Sequence, residues 1–263
     1  MPNYTILLPP SEGKTKGGNE EFPYRRAENL KDYNSFKSLT FDRQELYNTL
    51  REGINELSEQ DLEKVLEVKG KNLNESVSQL LDMLNSPTMA AIERFSGVMF
   101  KSISYDSMSE DQKLNFNSST LFIDGMFGLA RPQDLLPEYK LKITSKFLDI
   151  NVTKFWKERL KGDFDILFKD KLIIDILPEA HRKVLTLHDN VDYVQITFMD
   201  EKEGGSLKQA GHNSKVLKGE IVNYICGFEE ISRENLETFS HSSGYFYSKK
   251  LSNSKKIVYL KKI

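Results

Sequence analysis

The stretch from residue 121 to residue 142, LFIDGMFGLARPQDLLPEYKLK, constrains the fold more than any other part of the chain. Its first three residues form an apolar run that predicts a buried strand. The chain then passes Gly125 and Gly128, and glycine permits backbone conformations that other residues resist. Polar residues crowded directly after a buried strand are typical of the functional sites of α/β proteins. The stretch therefore predicts a mixed α/β fold with a site near this turn.

Two interpretations of the polar residues in this turn are open. Arg131, Asp134 and Tyr139 are residue types that orient phosphate groups and move protons. Alternatively, Arg131 and Asp134, three positions apart, pair only to fix a loop, since such ion pairs are common and contribute little.

Composition limits the class of protein. The chain has 263 residues, of which 38% are hydrophobic, with 16 Phe and 11 Tyr. These numbers suffice for a large core, and we expect one domain over 1–263. The net charge of −2 argues against nucleic-acid binding by bulk attraction. A DNA-binding protein of this composition would have to gather its basic residues on one face.

The sequence does not support a metal site, an internal disulfide or a membrane segment. The single cysteine, Cys226, cannot form an internal disulfide or a thiolate metal cluster. His181, His188, His212 and His241 lack the helical spacing of a metal site. We expect no metal and no cofactor. Without a signal peptide or an apolar run of about 18 residues, we expect a cytoplasmic protein with no membrane contact.

The turn after the first strand (residues 4–8) offers a second polar cluster. Gly13, Lys14 and Thr15 suggest the end of a P-loop, but the glycine required five positions earlier is replaced by Leu8. The turn instead suits one anion, held by Lys14 and hydroxyls that include Ser11. A plain surface turn is the alternative.

Helical spacing of apolar residues predicts helices at 44–57, 59–68 and 73–84, with a break at Gly70. The arrangement over 58–84 is that of a helix-hairpin-helix element, which grips phosphate with hairpin amides and a helix N-terminus. Lys69 and Lys71 would add positive charge. The usual hairpin has two glycines, and most hairpins with one are simple connections.

Further elements follow from hydrophobic patterns and turn residues. We expect strands at 96–103, 171–177, 193–199, 243–247 and 256–260, helices at 88–95, 109–115, 152–160, 220–226 and 231–239, a loop at 17–28, and a hairpin at 204–205. The lysines around the last strand would solvate a sheet edge or add to a DNA-facing surface. Phe155, Trp156 and Cys226 are expected in the core.

The central stretch resembles the signature of the YaaA peroxide-stress family. The matching residues are Gly125, Phe127, Gly128, Arg131, Pro132, Asp134, Tyr139 and Leu141. Further blocks are similar to the family in the same order: 10–15, 96–103, 214–219 and 243–247. The chain departs from the family pattern at 178–184, and it carries Lys218 where the family has arginine, which keeps the charge but loses the bidentate fork.

The resemblance implies a compact mixed α/β fold (α+β class) with a positively charged cleft and a helix-hairpin-helix element. It also implies a cytoplasmic stress-response protein that limits iron-mediated damage by hydrogen peroxide and binds duplex or distorted DNA. The residues expected to contact DNA or phosphate are Ser11, Lys14, Lys69, Gly70, Lys71, Lys101, Arg131, Asp134, Tyr139, Lys215 and Lys218.

Two alternatives to DNA binding stay open. One is an enzyme acting on a phosphorylated or nucleotide-like small molecule in a cleft lined by Lys14, Arg131 and Lys215. No residue can be named as catalytic. The other, an interaction scaffold, has little support because repeats and low-complexity segments are absent from the sequence. An open groove with the Gly70 hairpin on its rim would favour DNA, and a closed pocket would favour an enzyme.

Overall fold

Five parallel strands form the centre of a mixed sheet in the computed structural model, which describes residues 2–27, 34–211 and 214–263. The strands, in chain order, are β1 (Tyr4–Leu8), β2 (Asn19–Pro23), β3 (Pro87–Ala90), β4 (Thr120–Asp124), β5 (Gly128–Ala130), β6 (Leu135–Leu136), β7 (Lys146–Phe147), β8 (Ile150–Asn151), β9 (Leu172–Asp175), β10 (Tyr193–Glu201), β11 (Leu207–Gln209), β12 (Ser240–His241), β13 (Tyr245–Tyr247) and β14 (Lys256–Lys262). Every residue of β1, β4 and β9 is buried, as expected for parallel strands covered on both faces.

Helices and two short 3₁₀ turns, at Lys37–Leu39 and Tyr105–Ser107, connect and cover these strands. The helices are α1 (Tyr24–Ala27), α2 (Thr40–Glu56), α3 (Glu59–Leu66), α4 (Lys71–Leu81), α5 (Ala91–Arg94), α6 (Val98–Ile103), α7 (Glu110–Ser119), α8 (Val152–Arg159), α9 (Lys161–Leu167), α10 (Glu179–Arg182), α11 (Ser214–Cys226) and α12 (Arg233–Thr238). The predicted mixed α/β architecture is confirmed, while the extent of the domain stays a prediction.

The order of strands in the large sheet is β12, β13, β14, β10, β9, β1, β4, β5, with β11 paired to β10. Strands β14, β10, β9, β1 and β4 are parallel to their neighbours within this group. Their carboxyl ends therefore meet along one border of the sheet. We call this border, marked by Leu8, Asp124 and Asp175, the carboxyl edge, and the opposite border the amino edge.

The connections that leave β1 and β9 run in opposite directions. The chain goes from β1 to its neighbour β4 on one side, and from β9 to β10 on the other. The loops after β1 and β9 therefore diverge at the carboxyl edge and leave a crevice between them. Such a switch point is where open α/β sheets bind ligands.

Most predicted elements are confirmed, with boundaries shifted by a few residues. Helices α3 and α7 are among them, and Ser58 and Ser109 cap these helices by each accepting a hydrogen bond from a backbone N–H of the first helical turn. Trp156 and Cys226 are fully buried, as expected of core residues. The helices on either side of Gly70 also form, as α3 and α4. That they make a phosphate-gripping helix-hairpin-helix element stays a prediction.

Four predictions were wrong. Residues 96–103 contain helix α6 and not a strand, because Met99, Phe100 and Ile103 fall on one helical face and are buried there. The predicted helix at 88–95 begins as β3, which pairs with β2 and β6. The predicted loop at 17–28 contains β2 and α1, and residue 28 lies outside the described residues. The last strand, β14, was expected at a sheet edge solvated by lysines, but it lies inside the sheet between β13 and β10.

The two central glycines are required by close packing. A Cβ on Gly128, where φ is +69°, would lie 2.6 Å from the ring of Trp156. A Cβ on Gly125 would lie 2.7 Å from the carbonyl oxygen of Leu141. The indole N–H of Trp156 donates to the carbonyl of Gly125 at 2.8 Å. The turn after β4 is therefore fixed against α8 and against the segment that follows Tyr139.

Helix α11 packs against α6 through another glycine. A Cβ on Gly219 would lie 2.3 Å from the carbonyl oxygen of Met99 and 2.6 Å from the Cβ of Ser102. The two helix backbones can approach this closely only without a side chain at position 219. This contact matters for the site because α11 carries Lys215 and Lys218 to the carboxyl edge.

We expect Gly219→Ala to destabilise the protein by about 1–3 kcal/mol, since the added methyl must push two helices apart. Gly162→Ala is the matched control, because Gly162 also lies in a helix but has no atom near its Cβ position. That control should be neutral or stabilising by up to about 1 kcal/mol. Urea denaturation measures both free energies of unfolding. Equal effects at the two positions would contradict the close-packing explanation.

Candidate functional site

A cavity of about 280 Å³ lies at the carboxyl edge, between the loops that follow β1 and β9. Its third wall is the extended segment after Tyr139. We call it the carboxyl-edge cavity, and its polar lining includes Ser11, Glu12, Lys14, Lys140, Lys142 and His181. Its position at the switch point of the sheet is the one where α/β proteins place ligand sites.

Lys14 reaches into this cavity from the β1 loop. Its Nζ donates a hydrogen bond to the carbonyl of Ser11 at 3.1 Å and lies 4.0 Å from the ring centre of Tyr139. Burial lowers the pKa of Lys14 to about 8, against the attraction of Asp124. Within the described part of the chain it forms no ion pair, so its charge is available to a ligand.

A buried carboxylate lies below Lys14. Asp124, the last residue of β4, is fully buried and accepts hydrogen bonds from the backbone N–H groups of Met126 and Phe127 at 2.7 and 2.9 Å. The hydroxyl of Tyr139 donates to the other carboxylate oxygen. Burial, followed by the charge of Asp124, raises the pKa of Tyr139 well above its ordinary value. The phenol therefore stays protonated and holds Asp124 in place.

The end of β9 repeats this arrangement on the other side of β1. Asp175 is fully buried and accepts a hydrogen bond from the N–H of Leu177 at 2.6 Å. It also accepts hydrogen bonds from the hydroxyl of Tyr193 and the guanidinium of Arg182. Two strands of the sheet thus end in a carboxylate that is bonded to a tyrosine and lies near a cation.

Helix α11 contributes two more lysines. The Nζ of Lys218 donates to the carbonyl of Ile176 at 3.0 Å, and burial lowers the pKa of Lys218. Lys215 is exposed one turn earlier. Burial would raise the pKa of Glu12, but the charges of Lys142, Lys140 and Lys215 outweigh burial and lower it. Lys215 therefore acts on Glu12 through its charge, although its side chain is not among those that line the cavity.

His181 faces the cavity from α10. Its Nδ1 is buried and, among the described residues, has no hydrogen-bond partner. Burial and the charge of Lys218 lower the pKa of His181 to about 4. The ring is therefore neutral near pH 7 and can accept a proton or a hydrogen bond.

The hairpin between α3 and α4 lies on the rim. Lys142 pairs with Glu12 at 3.0 Å and with Glu67, at the end of α3, at 2.6 Å. A second depression of about 350 Å³ shares Lys14 and Lys140 with the cavity and extends along α4. Lys69, Gly70 and Lys71 are exposed next to this rim.

Arg131 does not line the cavity, so the expectation that Lys14, Arg131 and Lys215 share one cleft was wrong. Strand β5 runs antiparallel to β4 and carries Arg131 back towards the amino edge. Its Nη1 donates there to the carbonyl of Ser118, the residue before the end of α7, at 2.8 Å. The sequence pattern could not reveal this reversal, because it depends on how β5 pairs.

Asp134 fixes a turn. Its carboxylate accepts hydrogen bonds from the backbone N–H groups of Arg131 at 2.8 Å and Ser35 at 3.0 Å. The loop-fixing interpretation of this residue therefore fits the geometry. Lys101 lines a separate depression with Phe95 and Phe100. Asp134 and Lys101 both lie outside the carboxyl-edge cavity, and a role for either in phosphate binding stays a prediction.

Sequence reasoning missed several lining residues, although a signal for some was present. The two buried strands read LFID at 121–124 and LIID at 172–175, so each ends in aspartate. An acidic residue at the end of an apolar strand predicts a polar group at the carboxyl edge. Lys140 and Lys142 alternate on an extended segment and so share one side. His181 was noted only as a departure from the family pattern.

A larger cavity of about 750 Å³ lies at the amino edge, around Lys171, His188 and Arg233. We give it less weight because ligand sites of parallel sheets lie at the carboxyl ends of strands. No group of three His, Cys, Asp or Glu residues in the described ranges is arranged to hold a metal, and His212 lies outside those ranges. Nor is any helix among the described residues long and apolar enough to cross a membrane.

The comparisons with known proteins agree with this arrangement of motifs. A family model described as peroxide stress protein YaaA matches residues 4–251. The chain belongs to the YaaA family. The resemblance noted in the central stretch is thereby confirmed over nearly the whole sequence.

Relatives of this YaaA family member are UPF0246 proteins. The one from Finegoldia magna is 29% identical over 219 residues, which cover 82% of this chain and 87% of the relative. Those from Rickettsia africae and Rickettsia felis are 26% and 28% identical over 220 and 221 residues, each covering 82% of this chain and 88% of the relative.

Lys14→Met is expected to stabilise the protein at pH 7. Burial has lowered the pKa of Lys14 from 10.5 to about 8, so the unfolded chain binds the proton more tightly and the charged lysine costs stability below pH 8. The gain in the free energy of unfolding should reach at most about 3 kcal/mol at pH 7 and disappear as the pH approaches 10.5. Urea denaturation at several pH values measures it.

Lys142→Met is the control for this measurement. Burial would lower the pKa of Lys142, but the ion pairs with Glu67 and Glu12 outweigh burial and raise it. The charge of Lys142 therefore stabilises the fold. The control should therefore show no gain at pH 7. A less stable Lys14→Met protein would contradict the assignment of Lys14 as an unpaired, buried cation.

Proposed function

We propose that this YaaA-family protein acts in peroxide stress by binding the phosphate backbone of duplex or distorted DNA at its carboxyl edge. One observation carries the proposal. Lys14 and Lys140, from separate parts of the chain, line one cavity, and Lys215 acts electrostatically on Glu12 in its wall, although the net charge is only −2. Such a concentration of lysine is the electrostatic requirement for binding a polyanion.

The hairpin on the rim supports the same function. Lys69 and Lys71 are exposed on either side of Gly70, and the ion pairs of Lys142 tie this hairpin to the β1 loop. The first amide groups of α4 point out of the helix N-terminus and can bind a phosphate there. A backbone that lies across the hairpin would continue over the mouth of the cavity.

The proposed protection acts by occupying DNA and not by consuming peroxide. Cys226 is fully buried, and burial raises the pKa of its thiol to about 12. A protonated, inaccessible thiol does not react with peroxide. Bound protein would instead limit the iron-dependent damage at the DNA itself.

An enzyme acting on a phosphorylated or nucleotide-like small molecule is the second candidate. The observation that favours it is the concave shape of the carboxyl-edge cavity, whose walls come from three segments. The residues that would bind such a ligand are Lys14 and Lys140, with Lys215 adding charge and without Arg131. Competition by mononucleotides in the experiment below separates this function from DNA binding.

Replacement of Lys69 and Lys71 by Glu is expected to weaken duplex binding in gel shifts. The affinity of the unmodified protein should fall with added salt, and the double variant should reduce the salt slope by about two, one for each lost phosphate contact. Mononucleotides at equal phosphate concentration should compete poorly.

The control replaces Lys169 and Lys255 by Glu, which makes the same change in net charge at the amino edge, before β9 and β14. Binding by this control should stay close to that of the unmodified protein. Equal losses in the two double variants would mean that only total charge matters. Unchanged binding in the hairpin variant would remove the hairpin from the proposal.

A further inference from the structure

The amine of Lys14 differs from an ordinary surface lysine in its surroundings. It lies inside the carboxyl-edge cavity with a hydrogen bond to the Ser11 carbonyl and the ring of Tyr139 below it. Across the described residues no carboxylate lies within ion-pair distance of its Nζ. An amine held in a cavity without a counter-ion can react with a ligand as well as attract it.

Burial favours the neutral form of Lys14. It removes water from the ammonium, and Lys140 and Arg94 repel the charge, whereas Asp124 and Glu12 attract it. With a pKa of about 8, roughly a tenth of the side chains carry a free amine at pH 7. Lysines become nucleophiles in this way, by desolvation and by neighbouring cations.

The size and lining of the cavity restrict the substrate. Its volume of about 280 Å³ lies just below the range of roughly 300–1,000 Å³ for pockets that hold drug-sized ligands. Lys140 and Lys142 line it beside Lys14, and His181 adds a neutral ring to its wall. A single sugar with its flanking phosphates suits this space and charge.

We propose that Lys14 forms an imine with an aldehyde carried next to a phosphate, and that its source is the opened sugar of an abasic site in DNA. This inference rests on the DNA-binding function proposed above and names the lesion that the bound protein recognises. Radicals from peroxide and iron remove bases from DNA and leave such sugars, so the substrate fits peroxide stress.

The step balances without an oxidant or reductant. The Nζ lone pair attacks the aldehyde carbon, and a C–N bond forms while the C–O double bond becomes a hydroxyl. The two amine protons leave with that oxygen as water, and a C=N bond remains. Lys140 and Lys142 line the cavity beside Lys14 and would offset the charge of the flanking phosphates.

Borohydride trapping tests the proposal with a duplex oligonucleotide that contains one abasic site. Reduction of the imine would join protein and DNA permanently, and mass spectrometry of the digested complex should place the link at Lys14. Lys14→Met should reduce trapping about tenfold or more, as expected when the nucleophile is removed. Lys169→Met, at the amino edge, should trap as the unmodified protein does.

The pH dependence of trapping is a second measurement. The rate should rise with a midpoint near pH 8, following the free amine of Lys14, and not near the higher pKa of an ordinary lysine. Lys14→Met is expected to remain folded and to bind the abasic duplex more weakly, so trapping is compared at a DNA concentration that saturates each protein in a gel shift without borohydride. Loss of trapping with retained binding would identify a reacting group.

Four outcomes would overturn the inference. If the abasic duplex is shifted but not trapped, or if Lys14→Met traps equally well, DNA binding stands and the role of Lys14 is wrong. If pyridoxal phosphate, a small phosphorylated aldehyde, is trapped at Lys14 but abasic DNA is not, the substrate assignment is wrong. If no DNA is shifted at all, the proposed function fails together with the inference.

Discussion

The buried carboxylate of Asp124 is the interaction on which the site depends. A charge at the end of a fully buried strand is tolerated only when hydrogen bonds replace water. The backbone N–H groups of Met126 and Phe127 and the hydroxyl of Tyr139 supply those bonds. They require the tight turn after β4, which in turn requires glycine at 125 and 128 because Trp156 and Leu141 leave no room for a Cβ. Lys14 then lies above Tyr139, within the field of the carboxylate.

The repetition of this arrangement at Asp175 explains why the cavity lies between β1 and β9. Each carboxylate holds a tyrosine from a later segment, Tyr139 in one case and Tyr193 in the other. The two bonded pairs flank the end of β1, and the loops that leave β1 and β9 diverge above them. A nearly neutral chain thereby concentrates lysines at one border, since Glu12 and Glu67 offset only part of their charge at the rim.

The elements that the sequence predicted well are those whose pattern depends on local burial. The runs in β1, β4 and β9 are apolar throughout, and the N-caps at Ser58 and Ser109 are local hydrogen bonds. The errors fall where pairing partners decide the structure. Residues 87–90 join β2 and β6, and that pairing outweighs their helical spacing. Residues 98–103 pack as a helix on α11, where Gly219 admits the close approach.

By itself, the sequence determined the family, the mixed α/β class and a polar turn after a buried strand, because strand burial and glycine turns leave local patterns. It also marked Ser11, Lys14, Tyr139, Lys215 and Lys218 as candidates. Only the tertiary structure decided which of these meet. The antiparallel course of β5 carries Arg131 to the amino edge, while parallel pairing brings the ends of β1, β4 and β9 together. Strand direction fixes which end of a sheet a side chain occupies, and that direction is set by contacts between residues far apart in the chain.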